Sequence, residues 1–313
     1  MATSKKTFSR IGLGLVAAYA AIIVFSRFVF APLLTQTDIA RLAETIGPSL
    51  TLSLTYIPNI IFLAVFWLII RKIPRSEWQG EAMSFRCLFQ IFVMMYVISI
   101  VINILGMTVS EAAPARGNES REMIGSIVST GLPIGFLMVT FIAPVLEELI
   151  FRKLMLDRIR NCGEKTAIVF SALCFGLFHG NLAQFLYAFS VGLFLGYVYC
   201  RTRKVHYTIV MHTLLNTISS TIMLFAPAMK DDGKAVLIVI PLVLVIATLF
   251  VCGIVQLIRH LKRRDLHLDN TMVTCIPKEE VLQTVYLNPC VMLFILYCVT
   301  GIVMDLMNIH VMG

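Results

Sequence analysis

The sequence predicts an all-α polytopic membrane protein of about eight to nine transmembrane helices, on three observations. First, 58% of the 313 residues are hydrophobic and only 14% are charged, against about 25% charged in soluble proteins. Second, apolar runs recur along the whole chain, at 11–34, 50–70, 87–108, 124–147, 166–180, 182–200, 205–228, 234–258 and 289–309. Most reach the roughly 20 residues that a helix needs to cross the hydrocarbon; 166–180 is short and 182–200 borderline. The runs are continuous rather than alternating, which disfavours a β-barrel. Third, the basic residues alternate with the runs. Lys5, Lys6 and Arg10 precede the first run, and Arg71, Lys72, Arg75 and Arg86 follow the second. Arg152, Lys153, Arg158, Arg160 and Lys165 follow the fourth, Arg201, Arg203 and Lys204 the sixth, and Arg259, Lys262, Arg263, Arg264 and Lys278 the eighth. The opposite connections hold Arg41, Arg116, Arg121, Lys230 and Lys234.

That asymmetry obeys the positive-inside rule, with the N-terminus cytoplasmic. The net charge of +8 therefore reports topology, and nucleic-acid binding is excluded as a function class. The eight cysteines fall in runs or in cytoplasmic connections, and no CxxC occurs, so neither a disulfide framework nor a thiolate metal site is expected. The first run is too long for a signal-peptide core and reads as a retained helix.

Taken in order, residues 1–123 form N-terminal transmembrane helices, 124–228 a central unit, and 229–313 C-terminal helices with a cytoplasmic loop at 259–288. Arg27 lies inside the first run and is expected to face other helices rather than lipid. Residues 35–49 and 109–122 are short outer connections, and 71–86, with Pro74 and Trp78, reads as an interfacial loop. The fourth run carries Gly131, Pro133, Gly135 and Pro144. Pro144 has no N–H to give the residue four back, so it frees the carbonyl of Thr140. In lipid that carbonyl needs another partner. Residues 151–165 read as a short interfacial helix or simply as a basic anchor. Gly192 and Gly196 in the sixth run offer a small face for close helix packing.

The central unit concentrates the polar chemistry. Glu147 and Glu148 close the fourth run, with Arg152 four residues after Glu148; His179 ends the fifth run, and His212 and Asn216 lie four apart in the seventh. Ionisable groups inside a membrane are costly and default to a functional reading. Glu148 and Arg152 are an i, i+4 pair, which leaves Glu147 turned about 100° away and free for another task. Each histidine alone is as readily a helix-bridging hydrogen bonder as a ligand or base. Together, a carboxylate, imidazoles and an amide can activate water and stabilise an oxyanion, the requirements of peptide-bond hydrolysis. A scaffold or immunity protein and an ion-coupled transporter compete with that reading; the transporter predicts two repeated halves, which the sequence does not show.

Glu-Glu-Leu-Ile-Phe-Arg (147–152) fits E-E-x-x-x-R, Phe175–His179 fits F-x-x-x-H, and His212–Asn216 fits H-x-x-x-N. In this order the three motifs resemble the CPBP intramembrane proteases, the CAAX-prenyl protease and bacteriocin-processing (Abi) group, over about 124–228. The resemblance implies an intramembrane-protease bundle and an endopeptidase acting on a membrane-associated peptide or protein. Bacteriocin processing or self-immunity is the implied use in a bacterium, at the plasma membrane. Glu147 resembles the base that activates water, Glu148 a supporting carboxylate tied to Arg152, His179 and His212 the histidines that hold water or metal, Asn216 the oxyanion donor, and Phe175 a packing residue. A zinc held by His179, His212 and Glu148 is one implied cofactor; a metal-independent, glutamate-activated water is the other mechanism. Depth is the geometric difficulty, because Glu147 ends its run near the cytoplasm while His179 ends the next run far from it. A tilted bundle, or a cavity open to the cytoplasm, would reconcile them.

Overall fold

The computed structural model describes residues 2–30, 32, 56–111, 133–225, 233–263 and 276–307. Among these residues there is no strand, and nine helices occupy the nine places where the apolar runs predict them. Helix α1 (Ala2–Phe25) continues as a π-helix over Ser26–Phe30; α2 is Ile57–Ile70 and α3 Phe85–Glu111. Helix α4 spans 133–159 in alternating α and π segments, the π segments being Met138–Ile142 and Leu149–Leu156. Then follow α5 (Glu164–Leu177), α6 (Leu182–Thr202), α7 (Val205–Phe225), α8 (Gly233–Arg263) and α9 (Pro289–Met307). Helices α1, α3, α6, α8 and α9 are long and apolar enough to cross a membrane by length and composition; α2 is a shorter apolar helix. The chain is an all-α polytopic membrane protein. The expected connection 35–49, most of 109–122 and the first part of the fourth run, 124–132, lie outside the described residues.

The α5–α6 hairpin is the centre of the bundle. Helix α3 packs on α6 and α8 on α3, while α1 packs on α2 and α9. Between helices in lipid there is no water to expel, so close approach and hydrogen bonds replace the hydrophobic drive. The face expected from Gly192 and Gly196 is used in this way: a Cβ on Gly192 would lie 3.0 Å from Ala172 Cα and 3.2 Å from the Phe175 ring, both on α5. Gly192→Leu is therefore expected to destabilise the hairpin by about 1–3 kcal/mol by overpacking. Gel filtration of the detergent-solubilised variant checks this, with loss of the monodisperse peak as the expected outcome.

Two expectations fail. Helix α1 begins at Ala2, well before the apolar run, so Arg27 sits near its far end and is exposed rather than turned towards other helices. The stretch 151–165 is neither an interfacial helix nor a solvated anchor. It prolongs α4, and Arg152, Asp157, Arg158, Arg160 and Glu164 are all buried. Their charges are answered internally. Lys153 Nζ is 3.0 Å from Asp157 Oδ2 and Arg201 Nε 3.1 Å from Glu164 Oε1. The Tyr199 hydroxyl donates to Asp157 Oδ1 at 2.5 Å, and Arg158 donates to the carbonyls of Ile70 and Leu154. A charge-rich stretch can leave water where each charge meets a partner on its own or a neighbouring helix.

The loop between α2 and α3 closes this end. Ser76 N–H donates to the Asp157 carbonyl and Glu81 N–H to that of Arg201. Arg203 donates to the Trp78 carbonyl, and the Arg160 and Arg203 guanidinium groups lie 5.4 and 4.9 Å from the Trp78 ring centroid. The turn at Gly163, which takes a φ of 109°, and the turn after α6 therefore share one end of the bundle with the basic loop 71–84.

Candidate active site

The site begins with the proline. The N–H of Ala143 donates to the carbonyl of Met138, five residues back, because α4 is a π-helix just before Pro144. The register is shifted by one, so the carbonyl that loses its partner to the missing N–H of Pro144 is that of Val139, not the expected Thr140. Asn216 of α7 answers it, with Nδ2 3.1 Å from Val139 O. The amide that sequence reading singles out for chemistry thus also stitches α7 to the break in α4. One N–H of its two remains.

One turn on, Glu148 is fully buried and both its oxygens are engaged. Arg152 Nε lies 3.1 Å from Oε2 and His212 Nδ1 3.0 Å from Oε1. The expected i, i+4 pair is therefore present, and it is sealed from solvent. Burying such a pair is costly unless further partners are provided. Here Arg152 also lies 4.6 Å from the centroid of the Phe175 ring, a cation–π contact, and Thr208 faces Glu148 from α7. A carboxylate paired with a guanidinium can only accept, so the proton between Glu148 and His212 sits on Nδ1. His212 is then held with Nε2 pointing the other way.

Glu147 waits on that side. Its Oε2 is 3.7 Å from His212 Nε2, and 17% of its side chain is exposed, against none of Glu148. Adjacent residues on a helix point about 100° apart, and the imidazole of α7 occupies the angle between these two. Glu147 is thus turned away from Glu148 as expected, yet coupled to it through one ring.

His179 is not inside a helix. It lies in the turn after α5, where its Nδ1 is 2.9 Å from the Phe175 carbonyl. A carbonyl only accepts, so Nδ1 carries the proton here too and Nε2 is the free nitrogen. Phe175 is more than packing: its ring meets His179, His212 and Phe151 edge-on at 5.1, 5.7 and 5.3 Å between centroids, besides the contact with Arg152. The depth difficulty also resolves. Because α4 continues past Glu148 to the Gly163 turn, Glu147 and His179 stand equally many residues from that turn, on the two arms of one hairpin.

Sequence reading missed several neighbours. Tyr56 before α2 and Tyr187 on α6 face Glu147, and the Tyr19 hydroxyl of α1 donates to the Phe178 carbonyl at 2.9 Å. Nothing in an apolar run distinguishes a tyrosine aimed at a site from one aimed at lipid. The zinc set expected from His179, His212 and Glu148 does not fit, because Glu148 has both oxygens committed to Arg152 and His212. Among the described residues no three His, Cys, Asp or Glu side chains gather closely enough to hold a metal ion.

Residues 129–218 match the family model described as "Type II CAAX prenyl endopeptidase Rce1-like", a stretch that contains all the residues just described from Val139 to Asn216. This stretch is similar to the CPBP family. A Bacillus subtilis (strain 168) protein named "Putative membrane peptidase YdiL" is 28% identical over 106 residues, 33% of this chain and 42% of that protein. The chain thus matches less than half the length of this curated relative. No solved structure matches. The matched stretch takes in α4, α5, α6 and most of α7, and the flanking helices, Tyr19 among them, lie outside it.

Proposed function

We propose that this protein is a CPBP-type intramembrane endopeptidase that hydrolyses a peptide bond in a membrane-associated peptide with a water activated by Glu147. The observation that carries the reading is the facing pair Glu147 Oε2 and His212 Nε2, 3.7 Å apart. With Nδ1–H given to Glu148, His212 turns Nε2 towards the Glu147 carboxylate. At 3.7 Å the two groups leave room for a water that hydrogen-bonds to both and is held beside a base. Glu147 takes a proton from that water as its oxygen attacks the scissile carbonyl; the carboxylic acid so formed returns the proton to the leaving amine. The remaining N–H of Asn216 is the candidate donor to the oxyanion. His179, with Nε2 free, orients the peptide or the water. Glu148 and Arg152 hold His212.

The family and its membrane-peptidase relative support the reaction class; substrate, direction of access and setting are part of the proposal. The basic connections gather at one end of the bundle, and by the positive-inside rule we place that end in the cytoplasm, with the site open towards it and the chain in the plasma membrane if the host is bacterial. A membrane-impermeant maleimide is then expected to label Glu77→Cys only after permeabilisation. Because Glu148 is unavailable to metal, cleavage is expected to survive prolonged chelation, and elemental analysis is expected to find less than one zinc per chain.

The test of activity is mass spectrometry of membrane-anchored peptide libraries incubated with the wild type and with Glu147→Gln. Cleavage by the first and none by the second is expected. No cleavage by either, with an unchanged host phenotype, would sink the enzyme reading and leave a membrane scaffold or immunity protein.

A further inference from the structure

We infer that Tyr19, on the N-terminal helix and outside the matched core, is a positioning residue that sets His179 in place; this rests on the proposed reading of His179 as part of the site. Helix α5 ends at Leu177, two residues before His179, and the last carbonyls of a helix have no partner within it. Of those near this end, Cys174 O accepts from Phe178 N–H, Gly176 O from His179 N–H and Leu177 O from Gly180 N–H. Phe175 O is taken by the His179 ring. The next carbonyl, Phe178 O, is joined by its own peptide unit to the nitrogen of His179, and Tyr19 supplies its donor at 2.9 Å.

The hydroxyl is itself fixed. Its ring sits in an aromatic cluster with Phe62, Phe178 and Tyr297, at centroid distances of 5.4, 5.8 and 5.2 Å. The Phe178 ring in turn meets His179 edge-on at 6.1 Å. On the other side of the turn, Asn181 Nδ2 reaches the His179 carbonyl at 3.4 Å. The peptide units before and after His179 are thus each held by a side chain, one from α1 and one from the start of α6. The His179 N–H is held by the Gly176 carbonyl and its ring by that of Phe175, while Gly180 beside it, at a φ of 72°, permits the turn without restraining it. The Tyr19 bond fixes the peptide plane from which the ring reaches the Phe175 carbonyl, and so helps to set where Nε2 points.

Tyr19→Phe removes the hydroxyl and keeps the ring. Peptide cleavage by this variant is expected to fall about tenfold or more in kcat, as small displacements of site groups do, with KM and elution in detergent unchanged. Tyr297→Phe, in the same cluster but without the bond to Phe178, is expected to behave as wild type. Since the effect passes through His179, Tyr19→Phe should cost nothing further in a His179→Ala background. Equal loss in both backgrounds, or full activity of Tyr19→Phe, overturns the inference. A second readout needs no substrate: the imidazole nitrogen signals of ¹⁵N-histidine-labelled protein, assigned with His179→Ala, are expected to show the Nδ1–H form of His179 giving way to a tautomer mixture in Tyr19→Phe. Unchanged His179 signals overturn the inference even if the wild type cleaves nothing, whereas a shift with no cleavage refutes only the protease reading.

Discussion

Glu147→Gln is expected to lower cleavage by about 10²–10⁴-fold, the contribution of a general base, while the protein still inserts, purifies and elutes as the wild type does. The amide is nearly isosteric with the carboxylate, and the side chain is partly exposed and, among the described residues, makes no ion pair besides its approach to His212. An amide cannot accept the proton of a water at neutral pH, so the chemical step is what it loses. Rate measurements on a cleaved peptide, with melting of the detergent-solubilised protein followed in parallel, check both halves of the expectation. A variant that retains activity would remove Glu147 from the mechanism.

The neighbouring ion pair is expected to respond in the opposite way. Arg152→Ala removes a fully buried guanidinium and leaves the Glu148 carboxylate without its counter-charge inside the bundle. Removing one partner of a buried pair costs about 3–5 kcal/mol, of the order of a whole domain's stability. The variant is expected to be poorly recovered from membranes and polydisperse in detergent. Arg152→Ala with Glu148→Gln should recover part of the loss, since no uncompensated charge remains, and yet stay inactive because His212 loses the carboxylate that holds its Nδ1 proton. Thermal stability of the single and double variants decides. If the single variant is as stable as the wild type, the pair is not the structural clamp described above.

These two carboxylates show how much of the site can be read from the chain. That Glu147 and Glu148 differ follows from their spacing to Arg152 alone, because i, i+4 residues meet on a helix and i, i+1 residues do not. What no spacing expresses is that one imidazole from α7 lies between them, since that depends on how α4 and α7 cross. The same holds for Pro144. Its missing N–H is legible in the sequence, but the carbonyl it orphans depends on whether the preceding turn is α or π. Asn216 meets Val139 because the turn is π.

By itself the sequence determined that there are about eight to nine helices and where the middle of each lies, though not where α1 begins or α4 ends, because apolar length is read almost directly by a bilayer. It determined the close α5–α6 contact, since only small residues let two backbones approach. It also determined which polar residues are too costly in an apolar run to be there by chance. Only the tertiary structure decided that the basic stretch after Glu148 is buried, because a charge leaves water when partners on other helices meet it. It alone turned Glu148 inward onto Arg152 and His212, placed His179 in a turn, and brought Tyr19 from the far N-terminal helix to hold that turn. Those outcomes rest on contacts between residues far apart in the chain, and such contacts leave no periodicity in the sequence.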